Sequence, residues 1–238
     1  MKADLIIFDK DGTLIDFDAF WVSVSEKAIE YVLSKVGHKD IPVDEVLLAI
    51  GVKNGVTDID GKLCRGTYLE IAELIYGVIA SHDCDEPRDK VVKLAIDGYN
   101  ICADEGKVVP TSDGLVDYLK ALKERGIKLA LVTTDNAYIT ELCLKTLGAY
   151  ELFDKIYPDD GEHPTKPDPY YADRLMGEFG VKKENVIMVG DTMTDVRFAK
   201  NAGIMAVCIA RNEKLTARLA PYADRVIEKI PDLDAIIG

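Results

Sequence analysis

Four short apolar runs along the chain end abruptly in polar residues. Leu5 to Phe8 is followed at once by Asp9, Lys10, Asp11 and Gly12. Ile127 to Val132 ends in Thr133, Ile156 leads into a proline-rich loop, and Val186 to Val189 ends in Gly190 and Asp191. Runs of this length without strict alternation predict strands buried on both faces of a parallel sheet. Ligands of such sheets collect at the carboxyl ends of the strands, so the recurring polar residues predict one edge where chemistry gathers.

Between these runs the period changes. Leu115, Leu119 and Leu122 share one helical face before Gly126; Ile139, Leu142, Cys143 and Leu147 do so before Gly148; and Pro169 stands where a first helical residue would, ahead of Tyr170 to Phe179 and Gly180. From about residue 113 onward the pattern therefore predicts β-α-β-α, an α/β fold with helices covering a parallel sheet. Residues 16–107 read differently. No strand pattern is evident there, whereas Trp21, Val24, Ala28, Val32 and Val36, and again Tyr68, Ile71, Leu74 and Ile75, have helical spacing. A core domain of residues 1–15 and 108–238 with a helical insertion of 16–107 is predicted, hinged at Asp16 to Asp18 and Gly106 to Pro110.

Composition narrows the partners. Against 29 Lys and Arg stand 42 Asp and Glu, a net charge of −13. That balance opposes binding to nucleic acid or anionic membranes, which depends on cations meeting phosphate. An anionic substrate must instead have its charge met locally, by a metal ion or a few placed cations. The N-terminal apolar run is too short for a signal core, and the five cysteines are widely spaced with no CxxC pair. A cytoplasmic protein is expected.

Asp9 and Asp11 lie two residues apart, so continued strand geometry would put two like charges on one side. Mg²⁺, a hard ion with a preference for oxygen ligands, relieves such repulsion. Gly12 and Thr13 then allow a turn whose backbone N–H groups face an oxyanion. Taken alone, the segment equally suits a solvated acidic turn, though not a calcium loop, which needs Gly at its sixth and Glu at its twelfth position. Taken alone, Lys166 in HPTKPDP reads as a solvated lysine, Thr133 as a strand-end hydroxyl, and Asp191 and Asp195 as caps of the helix-like VRFAKNAG.

The joint order of these segments is more specific than any one of them. DKDGTL at 9–14, LALVTT ending in Thr133 or Thr134, TKPDP containing Lys166 and GDTMTD at 190–195 together resemble the four motifs of the haloacid dehalogenase-like hydrolases, of the phosphoglycolate phosphatase-like, C1-capped kind. The resemblance implies a Rossmann-like three-layer core with a parallel sheet, and a helical C1 cap in the insertion. It implies that Asp9 attacks phosphorus, Asp11 acts as general acid and base, Thr133 binds a phosphoryl oxygen and Lys166 braces nucleophile and phosphate. Thr133 is preferred to Thr134 because it directly follows the apolar run; Thr134 and Gly12 are carried as substrate contacts. The Asp9 carboxylate, the Asp11 carbonyl and Asp191 would hold Mg²⁺, with Asp195 behind them. In the cap, the polar stretch KNGVTDIDGKLCRG offers Arg65 as a reader of the substrate's tail.

The function expected from this resemblance is magnesium-dependent hydrolysis of a small phosphate monoester through an aspartyl-phosphate intermediate. Phosphoglycolate stands first among the expected substrates, with sugar phosphates, nucleoside monophosphates and pyrophosphate behind it. A phosphomutase of the β-phosphoglucomutase type and a catalytically silent binding protein on the same fold are the alternatives. Asp11 and Asp191 argue against halide displacement.

Overall fold

In the computed structural model, which describes residues 1–237, β1 (Leu5–Phe8) is followed by α1 (Ser23–Val36), α2 (Val43–Ala49), β2 (Val52–Lys53), β3 (Val56–Thr57), α3 (Lys62–Arg65), α4 (Tyr68–Ala80) and α5 (Arg88–Ile101). Then come α6 (Leu115–Glu124), β4 (Lys128–Asn136), α7 (Ala137–Leu147), β5 (Lys155–Asp159), α8 (Tyr170–Phe179), β6 (Val186–Gly190), α9 (Met193–Ala202), β7 (Met205–Ile209), α10 (Glu213–Leu219) and β8 (Arg225–Ile227). The chain forms two compact units, residues 1–16 with 108–238 and residues 17–107.

The first unit is built on a six-stranded sheet in the order β5-β4-β1-β6-β7-β8, with parallel pairing throughout. All four residues of β1 are fully buried, as a central strand of Leu, Ile, Ile and Phe requires. Leu5 and Ile7 share a core cluster with Ala130, Val132 and Met188 of the neighbouring strands and with Tyr171, Leu175, Val196 and Phe198 of α8 and α9. Ile6 and Phe8 point the other way and are equally buried, so helices cover both faces in a three-layer α/β arrangement. Phe8 pairs with Leu131 of β4 and with Val189 of β6. The next residue, Asp9, therefore emerges level with Val132 and Gly190, and its N–H donates to the Val189 carbonyl at 2.9 Å.

The second unit is mainly helical, with α5 packed on α1 and α4. The buried positions Trp21, Val24, Ala28, Val32 and Val36 form the apolar stripe read from the sequence. The buried Tyr99 hydroxyl donates to Ser25 Oγ at 3.0 Å, tying α5 to α1. Among the described residues no helix is long and apolar enough to cross a membrane.

Three features depart from the sequence expectations. The strand expected to end at Val132 continues to Asn136, because pairing with β5 resumes at Asp159 after a register shift beyond Val132. Strands β7 and β8 were not anticipated. A two-stranded hairpin also interrupts the helical insertion, where β2 pairs antiparallel with β3 across Asn54 and Gly55. Both turn residues have positive φ, 53° and 74°, the conformation that makes Asn-Gly the favoured two-residue hairpin turn. A Cβ on Gly55 would meet nothing within 4 Å, so its replacement strains only the backbone. Gly55→Ala should lower stability by about 1–2 kcal/mol in urea denaturation; an unchanged midpoint would contradict the left-handed turn.

Candidate active site

Asp9 and Asp191 follow the carboxyl ends of β1 and β6, Thr133 lies within β4, and the loop before α8 delivers Lys166. Lys166 is buried, with Nζ donating to Asp9 Oδ1 at 2.6 Å and to Asp195 Oδ1 at 2.7 Å. Its loop is tied down from α9, where Asn201 Nδ2 donates to the Pro167 carbonyl at 2.9 Å. Asp195 is itself fixed, since its Oδ2 accepts from the Thr192 N–H at 3.1 Å and the Thr192 hydroxyl at 2.7 Å. The same contact caps the start of α9. Asp191 Oδ1 accepts from the Thr13 hydroxyl at 3.4 Å.

Asp9, Asp191 and Asp195 each bring a carboxylate oxygen within 4.8 Å of the others. Three acids against Lys166 and, near Asp191, Arg211 leave an excess of negative charge. Burial raises the carboxyl of Asp9 above its ordinary range, with Asp195 adding to the shift and Lys166 opposing it. Burial likewise raises Asp191 well above that range, with repulsion from Asp9 and Asp195 adding to it. Lys166 is pushed up as the two acids overcome its own burial. An all-carboxylate donor set without His or Cys suits a hard divalent cation. Both oxygens of Asp195 are already occupied by Lys166 and Thr192, so Asp9 and Asp191 are the carboxylates left for a cation, with Asp195 holding the lysine behind them.

Asp11 does not join that cluster. The chain turns after Lys10, with Gly12 at φ +73°, and the Asp11 carboxylate accepts from Lys10 Nζ at 2.8 Å. Gly12 also departs from expectation. Its N–H donates to the Ile15 carbonyl at 2.8 Å, and the Thr13 N–H to the Lys10 carbonyl at 3.4 Å, because the tight turn satisfies its own donors. Neither N–H is left for an oxyanion. What Gly12 provides is closeness, since a Cβ there would sit 2.0 Å from Asp191 Oδ2.

Thr133 is buried, and its Oγ1 accepts from the Asp135 N–H at 3.2 Å, which leaves the hydroxyl proton to donate elsewhere. Thr134 is exposed. Arg65 lies in the other unit, where Nε donates to the Ile59 carbonyl at 2.9 Å and the guanidinium pairs with Asp60 at 2.9 Å. Its charge closes its own loop.

Sequence reasoning missed three polar residues here. Lys10 is fully buried and pairs with Asp135 of β4 at 2.9 Å. Arg211, just beyond β7, donates to the Gly12 carbonyl at 2.6 Å and faces Asp16 at 3.6 Å. The apolar run Met205 to Ile209 was the available signal for Arg211, as one more strand ending in a charged residue.

A family model described as haloacid dehalogenase-like hydrolase matches residues 3–203. The pyrophosphatase PpaX of Halalkalibacterium halodurans is 30% identical over 242 residues, spanning 100% of this chain and 98% of the relative. Phosphoglycolate phosphatase 1 of Pseudomonas aeruginosa is 27% identical over 232 residues, spanning 96% and 78%. Among solved structures, YfnB of Bacillus subtilis with magnesium bound superposes with a TM-score of 0.73 over 100% of both chains at 18% identity, a likeness of fold.

The raised carboxyl of Asp191 means that the metal-free folded state holds more protons than the unfolded chain above the ordinary carboxylate range. Stability therefore falls as pH rises through that window. Metal-free Asp191→Asn should melt several degrees above metal-free wild type at about pH 8, and the gap should close towards about pH 4, where carboxyls protonate in both states. Equal melting at both pH values would contradict the crowding of acids.

Proposed function

Because this chain belongs to the haloacid dehalogenase-like hydrolases, we propose that it is a magnesium-dependent phosphatase that hydrolyses a small phosphate monoester through a phosphoryl group carried on Asp9. The observation that carries this reading is the buried Asp9 carboxylate at the end of the central strand, gripped by Lys166 with Asp191 beside it. A carboxylate so placed is a nucleophile with a fixed direction of attack.

In the first half-reaction an Asp9 oxygen bonds to phosphorus while the bond from phosphorus to the ester oxygen breaks. Asp11 gives that leaving oxygen its proton. In the second, Asp11 takes a proton from water as the water oxygen bonds to phosphorus, and the bond from phosphorus to Asp9 breaks to release phosphate. Lys166 and the Thr133 hydroxyl stabilise charge on the transferring group. Asp9 and Asp191, with the Asp11 carbonyl, would hold the magnesium ion, which when bound would supply the remaining positive charge that an acidic chain lacks. Residues 17–107 act as a cap that selects the substrate and excludes water, and the enzyme works on a soluble substrate in the cytoplasm.

Phosphoglycolate, a monoester, and pyrophosphate, an anhydride whose bridging oxygen would take the place of the ester oxygen, are the two substrates to test first. The first follows from the motif resemblance, and the second is favoured by the 30%-identical, full-length relative named a pyrophosphatase. A panel containing both, with sugar phosphates and nucleoside monophosphates and with or without Mg²⁺, decides among them. Net release of phosphate is expected, and interconversion of sugar phosphates without release would replace the phosphatase by a mutase. Asp9→Asn should reduce turnover of every active substrate by at least about 10³-fold with an unchanged circular dichroism spectrum; activity that survives would refute the nucleophile. The raised carboxyls of Asp9 and Asp191 also make protons compete with the metal. Calorimetric Mg²⁺ affinity should weaken as pH falls from about 8 to about 6, with proton release on binding; pH-independent affinity would contradict that assignment.

A further inference from the structure

Lys10 stands in sequence between the proposed nucleophile and the proposed acid, yet its side chain is fully buried. Its Nζ is fully buried and meets Asp11 Oδ1 at 2.8 Å, Asp135 Oδ2 at 2.9 Å and, more distantly, Cys143 Sγ at 3.9 Å. A lysine is an expensive residue to bury, and an apolar side chain of the same length would fill this slot at lower cost. Asp135 alone would suffice to neutralise a merely structural ammonium. The reach to Asp11 requires more. Adjacent residues of an extended strand point to opposite faces, so Lys10 and Asp11 meet only because the backbone leaves the extended conformation after β1 and bends at Lys10.

The anchor behind the lysine is rigid. Asp135 Oδ1 accepts from the Asn136 N–H at 2.8 Å, and Asn136 Oδ1 accepts from the Ile139 N–H at 2.9 Å to cap α7. The junction of β4 and α7 is thus connected to Asp11 through one ammonium group. Asp11 keeps 17% of its side chain exposed, so it is held from the protein side while the rest faces outwards.

We propose that Lys10, anchored by Asp135, is a positioning residue that holds the Asp11 carboxyl in the orientation from which it protonates the leaving oxygen. The proposal rests on the phosphatase reading above. It predicts a dependence on the leaving group, because a departing alkoxide needs a proton and an acidic phenol does not.

The test compares kcat/KM, which reports on phosphoryl transfer to the enzyme, for an alkyl phosphate active with wild type and for 2,4-dinitrophenyl phosphate. Lys10→Met should lose about 10²-fold on the alkyl ester while changing the activated aryl ester by less than about threefold. An equal loss on both, or none on either, would overturn the positioning role. If Lys10→Met leaves Asp135 too costly to bury and does not fold, Lys10→Met with Asp135→Leu removes the charge pair together and should show the same split; an equal loss there would likewise overturn it. A crystal structure of the folded variant reads the orientation without turnover. A displaced Asp11 carboxyl is expected, and an unmoved one would overturn the proposal. Wild type that turned over no phosphate ester would refute the phosphatase reading instead, leaving the crystallographic comparison to decide the lysine.

Discussion

The arrangement depends on burying opposite charges at the end of one parallel strand. Asp9 and Lys10 are successive residues of the same chain end, and each is neutralised on a different side. Asp9 meets Lys166 and, through it, Asp195; Lys10 meets Asp11 and Asp135. Neither acid-base group would be tolerated in a sheet interior singly, since an unpaired buried charge is destabilising by several kcal/mol (about 3–5 on removing one partner). The parallel register makes the pairing available, because it sets the ends of β4 and β6 on either side of β1.

The two groups differ in balance, and the difference divides the labour between them. Around Lys10 the charges are closely bonded to one another, which suits a scaffold. Around Lys166 the acids outnumber the lysine, and burial together with their mutual repulsion raises Asp9 and Asp191 above their ordinary range. Such crowding destabilises the metal-free fold and favours a cation, a trade of stability for function common at active sites. Gly12 contributes by allowing a backbone approach that no side chain could share with Asp191.

Much of this was legible in the sequence where a residue's role depends on order along the chain. Uninterrupted apolar runs gave the buried strands, and their polar ends marked Asp9, Thr133 and Asp191. Lys166 could be read only through the joint order of four motifs, because a lone loop lysine carries no signal of burial. Lys10 was not legible, since its partner Asp135 lies more than a hundred residues away and the pairing exists only in the folded register. The hairpin at Asn54 and Gly55 was legible and was overlooked, because helical periodicity around it masked a two-residue turn. The expectation for Gly12 failed for a local reason: a turn tight enough to bring it to Asp191 uses its own N–H groups.

The claim on which the account turns is a covalent phosphoryl group on Asp9. Rapid acid quench of the enzyme during turnover, followed by peptide mass spectrometry, tests it most directly. The expected result is the added mass of one phosphoryl group on the peptide bearing Asp9, localised to that carboxylate and accumulating when Asp11→Asn slows its hydrolysis. Phosphorylation at another residue, or full turnover with no phosphorylated peptide in either protein, would contradict it.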